Sequence, residues 1–152
     1  MRIALVTLLC TLVLTASGGT GARAGDKAAV EKELKKFQGT WTVERVEAGG
    51  KEVPIELFKG MTVAFEGDKY TVKVGDKLVQ AATQKLDPSK SPKTLDATVA
   101  EGPEKSVILG IYEINEDTLK VCFDPEGKKR PTEFKTAAGS QTTLAVYRRA
   151  KK

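Results

Sequence analysis

The spacing of apolar residues changes once along the chain, at Gly39. Before it, Val30, Leu34 and Phe37 fall at i, i+4 and i+7 behind Asp26, which predicts one short helix from Asp26 to Phe37 with Asp26 as its cap. Gly39 predicts the stop. Beyond it the period is two. Trp41, Val43 and Arg45 alternate with Thr40, Thr42 and Glu44. Met61, Val63 and Phe65 share a face and are answered across Gly67-Asp68 by Tyr70, Val72 and Val74. Gly75-Asp76 leads into Leu78 to Leu86, a longer and more polar strand that Asp87-Pro88-Ser89 ends. Thr94 to Val99 follows, and Val107, Leu109 and Ile111 then pair across Asn115-Glu116-Asp117 with Leu119, Val121 and Phe123. Leu144, Val146 and Arg148 make the last strand, and Ile55 to Lys59 leaves room for a single helical turn.

Short alternating runs parted by tight turns predict an all-β antiparallel meander of about eight strands behind one helix. Such a sheet must hide its edges, and closing into a barrel does so most completely. A two-sheet sandwich is the alternative, but consecutive tight hairpins favour up-and-down order. The alternation assigns Val43, Phe65, Tyr70, Val72, Leu109, Ile111, Val121 and Phe123 to the inward face. These side chains either line a ligand cavity or interdigitate into a solid core, because an eight-stranded barrel is only just wide enough to hold one small ligand. Tyr112 has the opposite parity to Ile111 and is expected to point outward.

The N-terminus is of a different kind. Met1-Arg2 carries a positive charge, Ile3 to Ala16 is nearly all apolar, and Ala22-Arg23-Ala24 fits a signal-peptidase site. The apolar run is shorter than the about 20 residues needed to cross a bilayer. Residues 1–24 are therefore expected to be a secretory signal, and 25–152 a single exported domain, periplasmic or extracellular, with no stable membrane insertion. Cleavage after Ala24 leaves 128 residues, a formal charge of +3 instead of +5, and Cys122 as the only cysteine. No intramolecular disulfide can then form, so a packed core must hold the domain together.

The chain contains no histidine. That removes histidine-activated nucleophiles, histidine metal ligands and histidine-bound haem. The glycines stand singly in turns and form no phosphate-binding loop. Lys128-Lys129-Arg130 and the basic tail lack the interleaved aromatics of a nucleic-acid platform and read as solvated loop and terminus. Asp124, Glu126 and Glu116-Asp117 lie in turns, where such residues serve backbone geometry. No cofactor, metal, nucleic acid or catalysis is expected.

The only tryptophan, Trp41, stands two residues past Gly39 at the start of the first strand. A short helix followed by Gly-x-Trp resembles the opening of lipocalins and their relatives. The resemblance implies that Trp41 closes one end of the barrel and that an arginine of the last strand packs across its ring. Arg148 is the matching position, with Arg149 as its rival. Phe37 to Trp41, Gly49 to Pro54, Lys85 to Asp96, Leu109 to Phe123 and Lys129 to Phe134 together resemble the lipocalin-like domain family abundant in planctomycetes. That family resembles lipocalins in shape and has no established activity. The functions left open are an exported module binding a small apolar ligand and an interaction module with a filled barrel. An enzyme is disfavoured.

Overall fold

The computed structural model describes residues 24–99 and 106–151; all but the last residue of the expected signal segment lies outside them. Helix α1 (Ala24–Phe37) leads into β1 (Gly39–Ala48), β2 (Lys51–Val53) and a single 3-10 turn (Ile55–Phe58). β3 (Met61–Glu66), β4 (Lys69–Val74), β5 (Lys77–Asp87), β6 (Lys93–Val99), β7 (Ser106–Ile114), β8 (Thr118–Asp124) and β9 (Thr143–Arg149) follow. Asp26 lies in the first turn of α1 rather than before it.

Every strand pairing is antiparallel, and β3 to β9 lie in chain order. β1 gives its first four residues to β3 and pairs with β9 from Trp41 to Ala48, which closes an eight-stranded up-and-down barrel. β2 adds only a short hairpin outside that ring, on β1. A bulge between Val43 and Arg45 shifts the register of β1, so Val46 rather than Arg45 turns to the interior opposite Ala145.

The end of α1 is built from side chains that arrive later in sequence. A helix leaves its last carbonyls without intrahelical donors. Trp41 Nε1 donates to Phe37 O at 2.7 Å, and Gln38 Nε2 donates to Leu34 O at 2.8 Å. Arg149 donates to Gln38 O at 2.7 Å and Lys36 O at 2.9 Å, with its guanidinium 4.2 Å from the Trp41 ring centroid. Gly39 turns the chain between helix and strand at φ +108°, a conformation that side chains resist. Arg149 fills the expected arginine position and Arg148 does not. Trp41 faces Arg149 in the register, while Arg148 points outward to Glu44 at 2.8 Å.

The barrel interior holds Phe37, Trp41, Leu86, Leu95, Ala97, Tyr112, Ile114 and Leu119. A second, smaller cluster of Ile111, Cys122 and Leu144 lies on the outer face of β7, β8 and β9, with Phe134 packed over it. Phe134 belongs to the β8–β9 connection, which is tied down at both ends of its first half. The Asp124 carboxylate accepts the backbone N–H groups of Glu126, Lys128 and Lys129. Arg130 donates to the carbonyls of Leu95 and Gly110 and pairs with Asp96. Arg130 is thus a strap across β6 and β7, not a solvated charge.

This covering overturns the expected parity of β7. Leu109 stands in register between Asp96 and Asp124 and Ile111 is buried beneath Phe134, so both face away from the interior. Tyr112, expected outside, is inside and 1% exposed.

Candidate functional site

A cavity of about 130 Å³ remains between the side chains in the middle of the barrel. Phe37 and Phe65 form its floor at the α1 end, with their rings edge to face at 5.2 Å. Val63, Tyr70 and Val72 make one wall, Leu95, Ala97 and Ile108 the opposite one, and Val121, Phe123 and Tyr147 complete the ring. Each comes from the inward parity of its strand. Val72 stands opposite Gln80, and the register shift just beyond them sets the inward set of β5 as Gln80, Ala82, Gln84 and Leu86.

Two glutamines therefore border a largely apolar cavity. Gln80 Nε2 donates to Tyr70 Oη at 3.4 Å. Gln84 is 5% exposed; its backbone N–H donates to Asp68 O at 2.7 Å, and its side-chain Nε2 has no partner. Burial pushes the Tyr70 phenol up to about 12, and burial with the neighbouring Tyr70 does the same for Tyr147. Both stay neutral at physiological pH. Among the described residues no Lys, Arg, Asp or Glu lines the cavity, which gives it apolar walls and an uncharged polar side.

Of the residues singled out by the alternation, Phe65, Tyr70, Val72, Val121 and Phe123 border the cavity together. Val43 faces the interior opposite Tyr147 but does not reach it, and Leu109 and Ile111 lie on the other face. Gln80, Gln84, Ile108 and Tyr147 line it without having been singled out. A signal for Ile108 was present: Glu113, more than half exposed at its side chain, shares parity with Leu109 and Ile111 and marks their face as the outer one. Gln80 and Gln84 carried no such mark, because a glutamine in a mixed strand reads as solvent-facing.

A charged cluster joins α1 to the barrel rim beside the floor. Glu33, 5% exposed, accepts from Lys36 at 2.6 Å, Lys93 at 3.0 Å and the Tyr112 hydroxyl at 3.1 Å. Burial pushes the Glu33 carboxyl up, but the hydrogen bonds and charges of Lys36 and Lys93 outweigh it and hold it below its ordinary value. Tyr112 is driven well above the usual phenol value by burial and by the charge of Glu33. Cys122, facing away from the cavity, has its thiol pushed up to about 11, chiefly by burial. It is no ready nucleophile.

No family model matches the chain, and none of the curated proteins or solved structures compared with it matches either.

Proposed function

We propose that this chain is an exported binding module of lipocalin-like type that holds a small molecule inside the barrel. The observation that carries the reading is the cavity of about 130 Å³ between the inward side chains in the middle of the barrel. Protein interiors are packed like organic crystals, and voids larger than a water are few. A void of this size, walled by inward side chains of seven strands, β3 to β9, is a place for an occupant. The floor lies under α1, so the way in for an occupant is from the opposite end, where β4 ends and β5 begins. A closed eight-stranded barrel behind one helix supports kinship with the planctomycete lipocalin-like family. The apolar leader and Ala22-Arg23-Ala24 support export.

Native mass spectrometry of the protein purified from its own host tests the reading. The expected spectrum shows a chain beginning at Gly25 with an added small mass that is lost on denaturation. An unadorned mass, together with no saturable response to small molecules in solution, would overturn binding.

A second reading has its own observation. Ile55, Leu57, Val74, Leu78, Val79 and Val107 are exposed, Leu57 at 72%, and their strands and turn place all of them at the end away from α1. An apolar rim of this kind suits an interaction module. It gains if the protein from its host carries a second chain instead of a small molecule.

A further inference from the structure

The cavity's size, charge and hydrogen-bonding balance together narrow what can occupy it, given the binding reading above. Its volume of about 130 Å³ falls well short of the roughly 300–1,000 Å³ of pockets for drug-sized ligands. It is close to the roughly 150 Å³ void that holds one benzene. A fatty-acid chain or a pigment does not fit. One six-membered ring with one substituent does.

Charge narrows the class further. A buried ion needs a partner, and among the described residues the two phenols are the ionisable side chains that border the space. That lining suits a neutral occupant.

The third constraint comes from Gln84. Among the described residues, its Nε2 is the buried side-chain nitrogen or oxygen left without a hydrogen bond. Its neighbour on β6 is Ala97, whose methyl offers nothing, and the Tyr70 hydroxyl accepts from Gln80 rather than from Gln84. An amide left unpaired by an apolar occupant keeps its full desolvation cost, whereas an occupant with one oxygen removes it. We infer that the cavity takes a neutral molecule the size of one six-membered ring carrying a single oxygen, an alcohol or a ketone, which hydrogen-bonds the side-chain amide of Gln84. A hydroxyl serves this amide as donor or as acceptor. A methyl group in the same place serves it as neither. The walls supply affinity without direction, and Gln84 supplies the discrimination.

Cyclohexanol and methylcyclohexane test this directly, since they match in shape and differ in one hydroxyl. Each is titrated into the mature chain while the methyl resonances of Val72, Ile108 and Val121 are followed. The expected result is saturable shifts from cyclohexanol with an affinity at least about fivefold tighter than that of methylcyclohexane. Simple apolar burial ranks the two the other way. Gln84→Leu should reverse the order, and Ala97→Leu, which fills the space, should abolish both responses. The native-chain comparison stands even if either variant fails to fold. Methylcyclohexane binding the native chain equally or more tightly would overturn the inferred class and leave cavity binding intact. No saturable shift from either compound would overturn both.

Discussion

Arg149 shows how one side chain serves two elements. Its guanidinium covers the Trp41 ring and donates to two carbonyls at the end of α1, and its Nε reaches Glu116 O at 3.0 Å in the β7–β8 turn. Charged donors on carbonyls and a cation over an indole each contribute on the order of 1–2 kcal/mol when partly desolvated. Arg149→Ala should therefore lower stability to urea by about 2–3 kcal/mol. Arg148→Ala removes only an outward pair with Glu44 and should leave the urea midpoint where it was. Equal losses from both variants would contradict this assignment. Trp41 is fully buried and its Nε1 is bonded to Phe37 O, so Trp41→Ala should cost about 3–5 kcal/mol in the same assay. A loss below about 1 kcal/mol would mean the ring does not close the barrel.

At the scale of elements, α1 is held over the barrel by both apolar and ionic contacts. Phe37 reaches down between Phe65 and Tyr112, each ring 5.2 Å away. Glu33 ties the helix to Lys93 and Tyr112 on the rim. Because the folded barrel holds the Glu33 carboxyl below its ordinary value, the tie contributes fully above the unfolded value, near 4.5. Its contribution is lost as pH falls through the lower folded value. Urea midpoints measured from about pH 7 down to about pH 3 should fall less steeply for Glu33→Gln than for the native chain. The slope will not vanish, since hydrogen bonds from Ser89 and from the backbone of Lys129 also hold Asp87 and Asp124 low. An unchanged acid limb in the variant would show that Glu33 is not linked to folding.

For the whole molecule, closure depends on contacts between the two ends of the described sheet. Trp41 pairs with Arg149, and seven residues of β1 find partners in β9. Without β9, both β1 and β8 become open edges, and Tyr147 and Ala145 leave the interior. Truncation after Leu144 should abolish the cooperative urea transition, followed by Trp41 fluorescence, and should promote aggregation. A truncated chain with a native-like sigmoidal transition would mean the sheet is stable open. The same long-range closure gives the fold few local contacts beyond its hairpins, which places its folding in the millisecond-to-second range of β-barrels.

How much of this was legible in the sequence depended on whether one face of a strand met water. The change of period and the turn residues made the single helix and the eight barrel strands legible, because strands such as β3 and β4 alternate between interior and outer face. Gly39-x-Trp41 was legible too, since only a buried ring and a permissive backbone explain that pair at the change of period. β7 and β9 were not. Val107-Ile108-Leu109 and Leu144-Ala145-Val146 are apolar on both faces, and local alternation then carries no direction. The reason lies elsewhere in the chain: the β8–β9 connection, pinned by Asp124 and Arg130, lays Phe134 over Ile111, Cys122 and Leu144. That burial on the outside moved Leu109 and Ile111 off the interior, brought Tyr112 in, and gave Trp41 Arg149 in place of Arg148. The cavity likewise belongs to the tertiary structure. Side-chain type can name a wall, but whether facing walls meet or leave 130 Å³ beside the amide of Gln84 is decided by the register in which eight strands close.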